Sequence, residues 1–395
     1  MILAAPDSFK GSLSAARAAR ALAEGVRRVF PEEEVLEVPL ADGGEGTVEA
    51  LLASLGGKKV SARVQGPLGE PVEAFFGLLE DGKTAVVEMA AASGLPLVPP
   101  ERRDVLRAST FGTGELIRLA LEAGAREIVV GLGGSATCDG GAGMARALGF
   151  SLLDKDGQEL PPGGGALTSL ERIDPSRRHP ALAGARILGA CDVTNPLLGE
   201  KGAARVFAPQ KGASPKEVEI LEEGLRRLAG ALRDQLGRDV ADLPGAGAAG
   251  GLGAGLAGFL GATLEPGFEL VARSVRLQEK VEAARLALTG EGRLDAQTSM
   301  GKAPQGVIRL ARKAGVPVFA FAGELAPGHE ALFEQGLTSA FSLCPGPASL
   351  EEARKKAEAW LAAATERALR AWKAGRKKGD PPLGIPVSAS FFLVP

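Results

Sequence analysis

Cysteine and histidine are scarce in this chain, and each scarcity removes a class of chemistry. The three cysteines, Cys138, Cys191 and Cys344, contain no C-x-x-C pair, and an odd set argues against a disulfide framework, which fits a reducing cytoplasm. The two histidines, His179 and His329, sit beside proline or glycine in loop-like sequence, so neither a histidine triad nor a zinc site is expected. Acid–base chemistry falls to Asp, Glu or Lys. Charge of one sign is also lacking: 46 basic against 48 acidic residues leave a net charge of -2, too balanced to draw nucleic acid or an anionic membrane. A small molecule is the expected partner. The start of the chain has neither the charged opening nor the long apolar stretch of a signal peptide, so Met1–Asp7 reads as a buried first strand and the protein as cytoplasmic. One uncharged segment, Gly245–Leu264, could be mistaken for a membrane span, but it is mostly Gly and Ala and reads as a closely packed internal helix. The P-loop pattern G-x-x-x-x-G-K-[ST] is absent, so any ATP site is of another design.

What is present is an ordinary globular composition, 45% apolar and 24% charged, over 395 residues, more than one core usually supports. Short apolar runs alternate with helical patterns at the start (Ile2–Ala5, a helix from about Ser14 to Val29, Val35–Leu40, a helix over Gly46–Leu55), which predicts βαβ units and a parallel sheet. Three strand-like runs, Val60–Val64, Val72–Leu79 and Thr84–Met89, then follow with only turns between them, an antiparallel excursion. Further on, Ser214 and Pro215 open a helix reaching about Leu236, and from Leu286 the βα alternation returns and ends in a helix over Leu350–Lys373. The predicted fold is α/β: a discontinuous Rossmann-like parallel-sheet domain, 1–66 plus 285–374, with a mixed α/β domain inserted at 67–284 and an atypical tail at 375–395. Hinge crossings are expected near Gly66–Gly69 and Val281–Arg285.

The richest segment is Gly131-Leu-Gly-Gly-Ser-Ala-Thr-Cys-Asp-Gly-Gly-Ala-Gly-Met144, which follows the apolar run Ile128–Val130. Glycine permits the positive φ values and close approach by which several N–H groups converge on an anion. Gly133, Gly134, Ser135, Thr137 and Asp139 are thus candidates to hold a phosphate with its magnesium. Four other strand-like runs end in similar loops, containing Asp7-Ser8, Asp42-Gly-Gly-Glu45, Cys191-Asp192 and Gly290-Glu-Gly-Arg293, and in open α/β sheets ligands bind beyond the carboxyl ends of strands. Lys10, Lys302 and Arg293 could neutralise phosphate oxygens or a substrate carboxylate; Asp42, Glu45, Asp139, Asp192, Glu291 and Asp295 could bind magnesium or orient a hydroxyl. Plainer roles compete: Asp42 is as well suited to its own Gly-Gly turn and Asp295 to a helix cap, while a solvated helix entry is the lesser alternative for Lys10. Gly131-Leu-Gly-Gly-Ser-Ala136 also matches a dinucleotide motif, with Asp154 at the ribose position, although Cys138–Gly141 lengthens the loop where that motif should open a helix.

Asp7-Ser-Phe-Lys-Gly-Ser12, Pro39-Leu-Ala-Asp-Gly-Gly-Glu-Gly-Thr47, Gly131–Gly143, Cys191-Asp-Val-Thr-Asn-Pro196 and Thr289-Gly-Glu-Gly-Arg-Leu-Asp-Ala-Gln-Thr-Ser-Met-Gly-Lys302 resemble, in order, the signature blocks of the class I glycerate kinases. The resemblance spans residues 1 to about 370 and leaves out the tail after Ala374. It implies a two-domain α/β enzyme that transfers phosphate from ATP to D-glycerate at the 2-hydroxyl, with Mg2+, in a cleft between the domains. On this footing Asp192, then Asp42, is expected to orient the attacking hydroxyl, with Lys10 and Asp295 also catalytic. Ser8, Arg293 and Lys302 would bind substrate, and Asp139, Asp192 and Glu291 the metal. A homodimer is the candidate assembly.

Overall fold

The computed structural model describes residues 1–295, 298 and 302–375, so nearly all of the tail expected at 375–395 lies outside the described residues. The chain divides into two compact units, Met1–Leu40 with the residues from Ala272 onward, and Ala41–Val271. Both crossings fall earlier than the borders expected at 66 and 284. Helix Thr47–Leu55 packs on the second unit's sheet, where Gly77 lies bare against Val48 and Leu52, and strand Gly57–Gln65 pairs with Pro71–Leu79 along its whole length. Gly66–Gly69 is therefore the turn of a hairpin inside one unit rather than a crossing. At the other border, helix Leu277–Glu282 packs on helix Ala303–Ala314 and so belongs to the first unit.

The first unit is a five-stranded, all-parallel sheet in the order Ser339–Ser342, Val318–Leu325, Ala287–Leu294, Ile2–Ala4, Val35–Glu37. Parallel strands are covered on both faces, which is why the opening run Ile2–Ala5 is apolar without alternation and wholly buried. Helix Ala15–Arg27, capped by the Ser14 side chain, packs on the long helix Leu350–Gly375. Their backbones come close at Gly25, where a side chain would meet Thr365 and the Ala362 carbonyl.

The second unit is a six-stranded mixed sheet. Thr263–Glu265, Arg186–Ala190, Glu127–Gly131 and Thr84–Glu88 run parallel, and the hairpin Pro71–Leu79 and Gly57–Gln65 completes the order by antiparallel pairing. The helix expected from Gly245 to Leu264 is shorter, Ala248–Leu260, and is broken at its start by left-handed Ala249, Gly250 and Gly251, with φ of 52, 68 and 87°. Its last expected residues, Thr263 and Leu264, are edge strand instead. A small antiparallel pair, Ser151–Leu153 with Arg172–Asp174, is joined by a long connection, and three residues per strand are too few for a period-2 pattern to register.

Candidate active site

Strands Thr84–Glu88, Glu127–Gly131 and Arg186–Ala190 of the second unit end side by side, and the loops that begin at Gly131 and Cys191 leave from that edge. The Asp42–Gly46 segment packs against both. A side chain at Gly131 would overlap the Gly43 carbonyl oxygen, one at Gly133 would lie 3.0 Å from Gly44 Cα, and one at Gly43 would lie 2.8 Å from Ala190 Cβ. Glycine is required here by the approach of one backbone to another. Gly267 closes the group: its N–H donates to Asp192 Oδ1 at 2.9 Å, and a side chain on it would overlap the Asp42 carbonyl oxygen. Asp42 Oδ1 accepts the Gly44 N–H at 3.1 Å, the turn role foreseen for it, while Asp192 is exposed and Asp42 partly so. Behind this segment the buried Glu88 carboxylate accepts the Val48 N–H at 2.8 Å and holds the start of helix Thr47–Leu55. Burial raises the Glu88 pKa.

The glycine-rich loop is fastened from within. Asp139 is 0% exposed, and its carboxylate accepts the N–H groups of Thr110, Gly141 and Gly143 and the Thr110 hydroxyl. Helices Phe111–Glu122 and Ala142–Ala147 pack together around it. Asp139, expected as a magnesium ligand, is placed as an internal anchor of the loop, and burial holds its pKa above the usual carboxylate range. Thr137 is equally sealed, and its hydroxyl has no hydrogen-bond partner among the described residues. Gly134 takes the positive φ of 74° that the turn requires, and Ser135 remains 8% exposed. Lys211 Nζ donates to Ser135 Oγ at 2.6 Å and to the Thr137 carbonyl at 2.7 Å. That lysine is 3% exposed, and burial pulls its pKa down to about 8. Burial has the opposite effect on the neighbouring Cys138 thiol, pushed up to about 12, which makes it a packing residue rather than a nucleophile.

In the first unit, the Ser8 N–H donates to Asp7 Oδ1 at 2.6 Å, and the Phe9–Lys10 main chain runs beside Gly292. Glu291, 8% exposed, accepts the Thr298 hydroxyl at 2.7 Å and lies 3.7 Å from Lys302 Nζ. Burial raises the Glu291 pKa, and the charges of Lys302 and Lys10 oppose that rise. Arg293 is exposed and pairs with Asp295 at 3.4 Å and with Glu324 at 3.6 Å. Asp295 Oδ1 accepts the Thr298 N–H at 3.3 Å, the cap-like contact foreseen as its plainer role. Lys10, Glu291, Arg293, Asp295 and Lys302 are thereby gathered within one unit, and Asp42, Gly133, Gly134, Ser135 and Asp192 within the other.

Glu88, Thr110 and Lys211 were not singled out from the sequence. Each acts on a segment remote in the chain and stands in no motif of its own. The dinucleotide alternative loses its ribose residue, since Asp154 spends its carboxylate on the N–H groups of Asp156 and Gln158 in an exposed turn, and the objection to it stands, since no helix opens until Ala142.

Among the described residues no group of three or more His, Cys, Asp or Glu is arranged to hold a metal ion. Magnesium is commonly bound through one or two carboxylates with water and substrate phosphates supplying the rest, and Asp42 and Asp192, on segments that meet at Gly267, are donors of that class. No helix among the described residues is long and apolar enough to cross a membrane.

The fold and these loops define an α/β protein whose glycine-rich loop and neighbouring acidic loops lie at the carboxyl ends of parallel strands. The model of the glycerate kinase family matches residues 2–373, and the chain belongs to that family. It is 51% identical over 360 residues to a glycerate kinase of Halalkalibacterium halodurans, covering 91% of this chain and 95% of that protein. To a glycerate 2-kinase of Escherichia coli it is 49% identical over 352 residues, covering 89% and 92% of the two chains. A crystal structure from Salmonella typhimurium LT2, provisionally named glycerate kinase 2, superposes with a TM-score of 0.88 at 46% identity, over 95% of this chain and 98% of that one. The family resemblance read from the five motifs is borne out.

Proposed function

We propose that this enzyme transfers the terminal phosphoryl group of ATP to the 2-hydroxyl of D-glycerate, giving 2-phosphoglycerate and ADP. The observation that carries this reading is the meeting of the Asp42–Gly44, Gly131–Gly134 and Asp192 segments at one sheet edge, cemented by Gly267. Such an arrangement offers convergent backbone for phosphate oxygens beside two accessible carboxylates. Phosphoryl transfer needs mainly that: positioning of the two reactants and compensation of charge on the transferring group.

In this reading Asp192 orients and polarises the attacking hydroxyl, held in place through Oδ1 by the Gly267 N–H. Asp42 and Asp192 would hold the magnesium that accompanies ATP, which supplies charge neutralisation at the phosphate oxygens when bound. Gly133, Gly134 and Ser135 cradle those oxygens. Ser8, Lys10, Arg293 and Lys302 recognise the glycerate carboxylate, and Glu291 holds Lys302 in place. A cytoplasmic setting accords with three free thiols.

Purified protein supplied with ATP, magnesium and D-glycerate should form ADP and 2-phosphoglycerate, with the isomer identified by phosphorus NMR. Absence of ADP formation would overturn the reading, and 3-phosphoglycerate as the product would overturn the choice of hydroxyl. Asp192→Asn keeps the acceptor for Gly267 but loses the charge, and should lower kcat by about 100-fold or more. Near-normal turnover in that variant would remove Asp192 from the chemistry.

A further inference from the structure

The glycine-rich loop contains a buried cation that no reading of the motifs assigns. Lys211 closes the short helical turn Pro209–Lys211 and reaches from there into the loop, with Nζ at 2.6 Å from Ser135 Oγ and 2.7 Å from the Thr137 carbonyl oxygen. Among the described residues its hydrogen-bond partners are the neutral Ser135 hydroxyl and Thr137 carbonyl, and the Asp139 charge acts on it without a direct ion pair, although it is 3% exposed. A buried ammonium costs several kcal/mol in desolvation and is uncommon without a salt-bridge partner, so its retention asks for a task.

The hydrogen-bond chemistry supplies that task. An ammonium has three N–H donors and no acceptor, so in the contact with Ser135 the serine oxygen must be the acceptor. The hydroxyl proton of Ser135 then has to point away from Lys211. It becomes a donor for an outside acceptor, strengthened by the positive charge behind it, since hydrogen bonds in a chain polarise one another. The second bond, to the Thr137 carbonyl, turns that peptide inward and fixes the loop two residues further on. Asp139 fastens the next stretch through Thr110, so the loop from Ser135 to Gly143 is held at three successive places.

We propose that Lys211 is the positioning residue of the glycine-rich loop, which by donating to Ser135 Oγ directs the Ser135 hydroxyl proton toward the phosphoryl oxygens of the nucleotide. This rests on the reading that the loop binds those phosphates. The role is one of orientation and polarisation: Lys211 acts through Ser135, and it is the serine hydroxyl that touches the nucleotide. The donor gains in strength as negative charge builds on the transferring group, so its contribution is to kcat more than to ground-state binding.

Four proteins test this: wild type, Lys211→Met, Ser135→Ala and the double variant, each assayed for kcat and for KM of ATP and of D-glycerate, with thermal unfolding as the check on folding. Ser135→Ala, the milder change, should lower kcat by about 10- to 100-fold, the scale of one lost transition-state donor, with KM for D-glycerate within about twofold. Lys211→Met should lower kcat at least as much, and the double variant should be no worse than Lys211→Met, because both remove one polarised donor. Multiplying losses in the double variant, or Ser135→Ala with kcat within threefold of wild type, would overturn the proposal. If Lys211→Met does not fold, the outcome for Ser135→Ala alone decides. A wild-type protein without kinase turnover would instead strike down the functional reading on which the proposal rests.

Discussion

Thr110 grips Asp139 with two donors: its N–H reaches Asp139 Oδ2 at 2.8 Å, and its hydroxyl is shared between Oδ2 at 2.9 Å and Oδ1 at 3.2 Å. The threonine oxygen in turn accepts the Met144 N–H at 2.9 Å. The end of the glycine-rich loop is thus joined to the start of helix Phe111–Glu122 by bonds that each use one of these two side chains, in a fully buried region.

Replacing Asp139 with Ala should therefore act on stability first. It strands the N–H groups of Thr110, Gly141 and Gly143, and each buried unpaired donor costs about 1–3 kcal/mol. We expect a loss of about 3 kcal/mol or more in urea unfolding. A loss below about 1 kcal/mol would show that the carboxylate is not what holds the loop.

Lys211 should make stability depend on pH. Its folded pKa, lowered to about 8, lies below the unfolded value of 10.5, so between those limits the unfolded chain binds more protons than the folded one and stability rises with pH. Below pH 8 both states are protonated and the slope vanishes. The difference in unfolding free energy between wild type and Lys211→Met should accordingly change across pH 8–10 in favour of wild type; a difference independent of pH would contradict the burial assigned to this ammonium.

Gly267→Ala should impair turnover through the backbone. Its methyl group would overlap the Asp42 carbonyl oxygen, which cannot swing aside as a flexible side chain could, and the same shift loosens the bond to Asp192. A fall in kcat of at least tenfold is expected, on the scale reported for small displacements of reacting groups. Steady-state kinetics that match wild type would show that the two aspartates do not depend on this contact.

Among the described residues Ala249 is one of two non-glycine residues with positive φ, at 52°. An L-residue in the left-handed region costs about 1 kcal/mol, so Ala249→Gly should stabilise the protein slightly, raising its melting temperature by about 1–3 °C. A lowered melting temperature would show that the methyl group contributes more by packing than the backbone loses.

The elements foreseen with little error are those whose local chemistry is self-contained. Ser214 and Pro215 do open the helix Pro215–Leu236, with a full capping box to Glu217, and the apolar run at Ile2 is a strand buried on both faces. The site was harder to read, because a carboxylate in a strand-end loop gives no local sign of whether it faces solvent, as Asp192 does, or the interior, as Asp139 does. Glu88, Thr110 and Lys211 escaped notice for a related reason: their importance lies in segments tens of residues away that only the folded chain brings near. The early border after Leu40 was hidden because helix Thr47–Leu55 continues the βα rhythm of the first unit while packing on the sheet of the second.

The alanine- and glycine-rich helix that resembled a membrane span contributes to the shape of the glycine-rich loop. A side chain at Gly250 would overlap the Thr137 carbonyl, one at Gly251 would lie 2.9 Å from Gly140 Cα, and one at Gly255 would lie 2.8 Å from Gly141 Cα. The loop's contour is therefore encoded twice, once in its own glycines and again as a mould about 110 residues downstream. A scan of all substitutions should accordingly find a second band of intolerant positions at 250, 251 and 255, where a single added methyl group would silence the enzyme without any contact with its ligands.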